Sequence, residues 1–185
     1  MPANGPAGRP CVFFDRDGVV NDSPGRGYVA RWEDFRFREG IASTLSRLAQ
    51  RGWLRVLVTN QQGIAKGMMT ENDLDQLHLR MQRELASRGA AFNAIYTAVG
   101  FEGRDPRRKP SPLMLQEAAR HLGLDLTRSW TVGDDDRDIL AGRRAGTRTI
   151  RIAGRTAPRV PADFTLASPA SLPRLFDCIL AGAKP

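Results

Sequence analysis

Cysteine is nearly missing from this chain of 185 residues, which carries only Cys11 and Cys178. Two thiols so far apart, without the close spacing of metal ligands, exclude a disulfide-stapled scaffold. A reducing cytoplasmic setting is the expectation, with both cysteines serving as packing. Long apolar runs are also absent, and no segment approaches the roughly 18 residues of a membrane span, so no membrane association is expected. Residues 1–10 are rich in Pro, Gly and Ala without a long apolar core, which reads as a flexible tail and not as a signal peptide. Aromatic residues make up 7% of the chain and are not interleaved with basic ones as stacking platforms would be. The net charge of +8 is therefore weak support for nucleic-acid binding, since most of it is Arg dispersed along the chain. One local cluster, Arg104, Arg107, Arg108 and Lys109, stands apart from that solvated background.

What is present is the composition of one globular domain, 41% hydrophobic and 26% charged, and it is placed at residues 11–182. Apolar runs at 12–14, 54–58, 94–99, 130–132, 149–152 and 164–166 read as short buried strands. Between them lie helical patterns. Ile41, Leu45 and Leu48 share one helical face before a stop at Gly52. Thr70 and Asp73 resemble a capping box, and Leu74, Leu77, Met81 and Leu85 form an apolar stripe running down to Gly89 that belongs to a core. Ser111 as cap and Pro112 at the first helical position open a helix that closes near Gly123. Another runs from about Asp136 to Ala145 and stops at Gly146, and Ser168-Pro169 starts a last one. The aromatic and charged stretch 28–39 fits no element. Strands alternating with helices predict an α/β fold: a three-layer, Rossmann-like parallel sheet with helices on both faces and no insertion large enough for a cap domain.

Four motifs fall at predicted strand ends, where parallel sheets place their ligands. The first is Asp15-Arg16-Asp17-Gly18, which follows the first apolar run directly. A carboxylate there can attack phosphorus, and a second one two residues on can carry the leaving-group proton. An acidic turn closing a strand has the same composition. The second strand ends in Thr59-Asn60-Gln61-Gln62-Gly63, whose hydroxyl and backbone N–H groups suit a phosphate, although polar turns share this pattern. Third comes Arg108-Lys109-Pro110, in which Lys109 can neutralise a phosphorylated carboxylate or can be a solvated loop lysine. The fourth, Gly133-Asp134-Asp135-Asp136-Arg137-Asp138, gathers carboxylates that repel one another unless a cation compensates them. Hard oxygen ligands of this kind suit Mg²⁺, while a charge-stabilised helix start accounts for one or two of the acids.

With the four motifs in this order, the chain resembles the haloacid dehalogenase-like superfamily of phosphohydrolases over about residues 12–146. The resemblance implies Asp15 as nucleophile, Asp17 as general acid/base, and Thr59 and Lys109 as the phosphate-binding pair. It implies Mg²⁺ held by Asp15, the Asp17 backbone carbonyl and Asp134, with Asp138 as an outer or orienting carboxylate. Within the superfamily, Asn21, Gly27-Tyr28-Val29, the segment 59–67 and Arg108-Lys109-Pro110 are similar to the D-glycero-D-manno-heptose 1,7-bisphosphate phosphatases, relatives of the histidinol-phosphate phosphatases. That similarity implies a small phosphorylated sugar substrate whose remote phosphate meets Arg108. It also implies a cleft lined near Gly27, Tyr28, Asn60 and Gln61, and a role in surface-polysaccharide precursor synthesis.

Three departures stand out. Residues 96–107 contain neither the Cys nor the His of the zinc loop common in this subgroup, so no structural zinc is expected. Val19 stands where many relatives have Thr, and Asp135 where some place a basic, substrate-contacting residue. Histidinol-phosphate hydrolysis, DNA 3'-phosphate hydrolysis and a basic nucleic-acid-binding protein with a vestigial site are the other readings. A monomer is the favoured expectation.

Overall fold

The computed structural model describes residues 8–25, 27–154 and 157–182. Six strands, β1 (Cys11–Phe14), β2 (Leu54–Asn60), β3 (Ala94–Ala98), β4 (Trp130–Gly133), β5 (Arg148–Ile152) and β6 (Phe164–Leu166), form one sheet in the order β3-β2-β1-β4-β5-β6. Every pairing is parallel. Parallel strands need crossovers, and four helices supply them, α1 (Ile41–Gln50), α2 (Glu71–Ala86), α3 (Leu113–Leu122) and α4 (Asp136–Ala145), while β5 joins β6 without a helix among the described residues and α5 (Leu172–Leu180) follows the last strand.

Alternation along β1 sorts the core into two halves. Val12 and Phe14 pack with Leu45 of α1, Met81 of α2 and Phe176 of α5, whereas Cys11 and Phe13 pack with Met114 and Leu115 of α3 and Ala141 of α4. Both faces of the sheet are thus covered, which is the expected three-layer α/β architecture. Strand order reverses direction at β1, so the crevice beyond the carboxyl ends of β1 and β4 is the place for a ligand. Among the described residues, the connection from β1 to α1 holds only a short 3-10 turn at Trp32–Asp34 and no cap domain. No helix among the described residues is long and apolar enough to cross a membrane.

Local signals explain most boundaries. The Thr70–Asp73 capping box is present at the start of α2, and the stripe Leu74, Leu77, Met81, Leu85 is buried. Gly123 and Gly146 end α3 and α4 in the left-handed conformation. Other expectations shift. Pro112 takes the capping position of α3, and the helix begins at Leu113. Ser168-Pro169 opens a 3-10 turn, and α5 starts only at Leu172. The segment 28–39 is ordered by tertiary contacts: Trp32 stacks on Phe35, Phe37 meets both rings edge-on, and Asn21 bridges to Phe37. Residues 1–7 of the expected tail lie outside the described residues. Arg9 is docked, because its N–H donates to the Gly123 carbonyl and its carbonyl accepts from Asp125, so ordered backbone begins before position 11.

Candidate active site

Asp15, the residue after β1, is anchored by its backbone N–H to the Val132 carbonyl of β4, which fixes its side chain at the switch point of the sheet. Its Oδ1 accepts from Lys109 Nζ at 2.7 Å. The same ammonium reaches Asp138 Oδ1 at 2.6 Å and the Val58 carbonyl at 2.8 Å. Lys109 thus spends its donors on two carboxylates and a strand-end carbonyl. Burial alone would lower its pKa, but the charges of Asp138 and Asp15 outweigh burial and hold it above the ordinary ammonium range.

Asp134, after β4, approaches from the other side. Burial pushes the Asp15 carboxyl up to about 8, against the pull of Lys109 and with the help of Asp138 and Asp134. Asp134 rises to about 7 through burial and the charge of Asp138. Asp15, Asp134 and Asp138 each offer an oxygen within 4.8 Å of the others, a hard anionic set that one lysine leaves under-compensated and that can hold a metal cation. Backbone shape makes this approach possible. At Gly18, with φ +91°, a Cβ would lie 2.1 Å from Asp134 Oδ2, and at Gly133 it would lie 2.0 Å from the Asp138 Cβ.

The acidic run after β4 divides its labour. Asp135 and Asp138 form the capping box of α4, and Asp138 accepts from the Asp135 N–H at 3.1 Å. Asp136 accepts from the N–H groups of Arg159 and Val160 and pairs with Arg151. Asp134 is the member of the run that serves neither the helix cap nor the Arg151 pair, and it faces the cleft beside Asp15. The helix-start explanation therefore accounts for part of the run but not for Asp134.

Asp17 sits differently. Its Oδ1 accepts from Arg16 and Asn21, and its Oδ2 accepts from Arg16 and Gln61. Three side chains thus hold its carboxylate at the cleft, apart from the cluster of Asp15, Asp134 and Asp138. Thr59 ends β2 with its hydroxyl accepting from Gln61 Nε2 at 2.8 Å, which leaves the hydroxyl proton to donate elsewhere.

The cleft above these groups has a volume of about 370 Å³. Asp15, Asp17, Lys109, Asp134 and Asp138 line one end, with Gly27, Tyr28, Asn60, Gln62, Arg108 and Arg137 among the other wall residues. Gln61 does not line it. The sequence reading put Gln61 in the substrate cleft, but its side chain is fully buried beneath, on Asp17 and Thr59, and Gln62 faces the opening instead. Asn60 borders the cleft, yet its amide is committed to the backbone of Lys109, donating to the carbonyl at 3.1 Å and accepting from the N–H at 3.0 Å. That reciprocal pair fixes the lysine segment to β2. Asp135 reaches the cleft chiefly through Arg137, which it grips at 2.9 and 3.2 Å.

Arg137 and Arg108 form a basic end opposite the acidic one. Buried Nε and Nη1 of Arg108 have no hydrogen-bond partner, and its pKa is lowered by burial and by the neighbouring charge of Arg137. Asp135 compensates Arg137, which leaves Arg108 as the cation whose N–H groups await an anion. Sequence reasoning named Arg108 but missed Arg137; the available signal was its place in the first helical turn after a strand end, where parallel sheets place their ligands. It also missed Arg16 and Asn21, which were quoted within the first motif without a task.

Comparison with known proteins agrees with this geometry. A D-glycero-beta-D-manno-heptose-1,7-bisphosphate 7-phosphatase of Photorhabdus laumondii is 36% identical over 180 residues, covering 90% of this chain and 95% of that protein. The chain belongs to the haloacid dehalogenase-like family of phosphatases. The HAD-hydrolase-like family model matches residues 106–162. A Burkholderia mallei relative, named as a phosphatase of the alpha anomer, is 37% identical over 159 residues, covering 81% of this chain and 83% of that one. Among solved structures, a D,D-heptose 1,7-bisphosphate phosphatase from B. bronchiseptica, complexed with magnesium and phosphate, superposes with a TM-score of 0.83 at 30% identity. That match covers 90% of this chain and 97% of the other. In this haloacid dehalogenase-like phosphatase the loop that departs from the zinc pattern is closed by a carboxylate: Asp105 accepts from the N–H groups of Gly100 at 3.0 Å and Arg107 at 2.9 Å. Arg107 is tied to Glu117 of α3 at 3.0 Å, so the approach to Arg108 and Lys109 is braced by side chains.

Proposed function

We propose that this phosphatase removes the 7-phosphate of D-glycero-D-manno-heptose 1,7-bisphosphate through a phosphorylated Asp15, with Mg²⁺ as cofactor. The observation that carries the reading is the two-ended cleft. Asp15 and the bridging Lys109 stand at one end, and the unpaired guanidinium edge of Arg108 beside Arg137 stands at the other. A monophosphate has no use for the second end, whereas a bisphosphate fills both.

Asp15 attacks the 7-phosphorus and the bond from phosphorus to the sugar oxygen breaks. Asp17 gives its proton to that oxygen, and heptose 1-phosphate leaves. A water then attacks the aspartyl-phosphate, Asp17 takes back a proton, and inorganic phosphate departs with Asp15 restored. Lys109, by turning to the phosphoryl group the donor that meets Asp15 Oδ1, and the Thr59 hydroxyl hold the transferring phosphoryl oxygens, and Arg108 orients the 1-phosphate. Asp15, Asp134 and the Asp17 backbone carbonyl are the residues that would hold Mg²⁺; the oxygen-only donor set and the raised pKa values of Asp15 and Asp134 fit a hard dication. When bound, the ion supplies positive charge that keeps Asp15 ionised and offsets the phosphoryl charge. Gly27 and Tyr28 form the wall over the sugar, and the setting is cytoplasmic supply of surface-polysaccharide precursors.

The test is phosphate release with Mg²⁺ from heptose 1,7-bisphosphate in both anomers, fructose 1,6-bisphosphate, histidinol phosphate and a 3'-phosphorylated oligonucleotide. The proposal expects kcat/KM of about 10⁴ M⁻¹s⁻¹ or more for a heptose bisphosphate and well below that for the others. Preference for the oligonucleotide or for histidinol phosphate overturns it.

A further inference from the structure

One buried ionisable group inside the hydrophobic stripe of α2 has no part in the chemistry above. His78 lies on the core face between Leu74, Leu77 and Met81 and is 7% exposed. A histidine on such a face is costly unless its polar atoms are used. Its Nε2 stands 3.4 Å from Nη1 of Arg16, the residue between Asp15 and Asp17. A guanidinium can only donate, so Nε2 accepts and the imidazole is neutral with its proton on Nδ1. Burial and the Arg16 charge keep it so, pulling its pKa down to about 3.

Arg16 is itself fully buried. A guanidinium without water needs a partner at every edge. On this one, Nε and Nη2 clasp the Asp17 carboxylate at 3.0 to 3.2 Å, Nη2 also reaches the Val29 carbonyl at 3.4 Å, and Nη1 meets His78. The fork thus joins three parts of the molecule: the Asp17 carboxylate, the backbone beside Gly27 and Tyr28, and helix α2. Asn21 and Gln61 complete the hold on Asp17, each a neutral amide that gives it one hydrogen bond. Arg16 is the rigid, charged member of the set, and His78 is the side chain that fixes its far edge.

We propose that His78, acting through Arg16, is a positioning residue for Asp17, holding that side chain where its protonated form delivers a proton to the departing sugar oxygen. The proposal rests on the assignment of Asp17 as the acid and extends the machinery of the reaction into the helical layer. His78 touches neither substrate nor reacting atoms. Without it, Arg16 can swing toward the vacated space and Asp17 follows, while Asp15 and Lys109 stay in place.

Leaving-group dependence tests this. A sugar alkoxide needs a proton to depart, whereas p-nitrophenolate leaves without one, and kcat/KM reports the steps up to formation of phosphorylated Asp15. The holoenzyme with Mg²⁺ is assayed on p-nitrophenyl phosphate and on the best alkyl phosphate of the panel above, for wild type, Asp17→Asn, His78→Leu, His78→Gln and Arg16→Lys. Asp17→Asn is expected to lose roughly 10²-fold or more on the alkyl ester, the scale of general acid catalysis, and much less on the aryl ester. His78→Leu is expected to show the same asymmetry at about tenfold in kcat/KM. His78→Gln, which keeps an acceptor oxygen, is expected to recover to within about threefold of wild type. Arg16→Lys, which keeps the charge but not the fork, is expected to follow His78→Leu and serves if His78→Leu does not fold. Equal losses on both esters in the His78 and Arg16 variants, or no loss, overturn the positioning role while a selective Asp17→Asn leaves the acid assignment standing. If Asp17→Asn itself is unselective, the acid assignment falls and the positioning role falls with it.

Discussion

Replacing Lys109 by Met keeps the side-chain length and removes only the ammonium, which makes it a sharp probe of the site's electrostatics. In the wild type that ammonium lies 2.6 to 2.8 Å from Asp15 Oδ1, Asp138 Oδ1 and the Val58 carbonyl, all shielded from water. Its loss leaves two buried carboxylates facing each other beside Asp134. Breaking a buried ion pair from one side costs about 3–5 kcal/mol, because the remaining charge is both desolvated and unpaired. For a domain of this size each kcal/mol moves Tm by about 2–4 °C, so in chelator the Tm of Lys109→Met falls by about 6–20 °C near pH 8. The sign of the pH dependence follows from Asp15, whose carboxyl already sits up at about 8 with Lys109 present. A carboxyl whose folded pKa is raised contributes stability at low pH and loses it as pH rises, so the deficit shrinks toward pH 5 and widens toward pH 8. Mg²⁺ binds only the folded cluster and recovers part of the stability. It does not recover turnover, which drops roughly 10²–10³-fold for want of a charge on the transferring phosphoryl group. Thermal unfolding by circular dichroism at pH 5 and 8, with and without Mg²⁺, and kcat on the preferred substrate are the assays. A variant within about 1 kcal/mol of wild type at pH 8, or within tenfold in kcat, refutes the reasoning.

Two further outcomes are expected. In chelator, the wild type loses stability most steeply as pH rises from about 6.5 through 8, since Asp15 and Asp134 keep protons in the folded state up to about 8 and 7 that they release at 3.8 when unfolded, while below 6.5 the His78 imidazole, held neutral in the fold, offsets one of them. The slope approaches about 1.4 kcal/mol per pH unit for each retained proton, and saturating Mg²⁺ flattens it; a Tm series from pH 5 to 8.5 checks this. Arg108→Ala and Arg137→Ala raise KM for bisphosphates by roughly tenfold or more, the scale of one charge-assisted contact, and leave monophosphate turnover nearly unchanged; equal losses on both substrate types place these residues elsewhere than a remote phosphate.

The sheet, its helices and the two ends of the catalytic motifs were legible because they depend on local patterns. Phe13 and Phe14 bounded by Asp15, the Thr70–Asp73 cap and the glycine stops at 123 and 146 are short-range signals that tertiary structure had no reason to override. Clustering of Asp15, Lys109 and Asp134 followed from the parallel topology, which brings the carboxyl ends of β1, β3 and β4 to one edge. What escaped depends on side-chain direction. Gln61 and Gln62 are adjacent and chemically identical, yet one is buried under Asp17 and the other faces the cleft. Asn60 carries the donors of a ligand-binding residue and spends them on the Lys109 backbone. Arg137 was hidden in an acidic run whose other members are mostly helix caps, and His78 in a stripe that reads as pure core. The order of segment 28–39 arises from three aromatic rings meeting one another, a contact that no periodicity announces.

The most direct test of the account is to look for the phosphoryl group on Asp15. Wild type and Asp15→Asn, each with Mg²⁺ and a heptose 1,7-bisphosphate, are quenched in acid within a single turnover and digested, and the acyl-phosphate peptide is located by mass spectrometry. The account predicts an adduct on the wild-type peptide that carries Asp15, no adduct in Asp15→Asn, and no turnover by that variant. An adduct on another residue, or turnover by Asp15→Asn within tenfold of wild type, contradicts it.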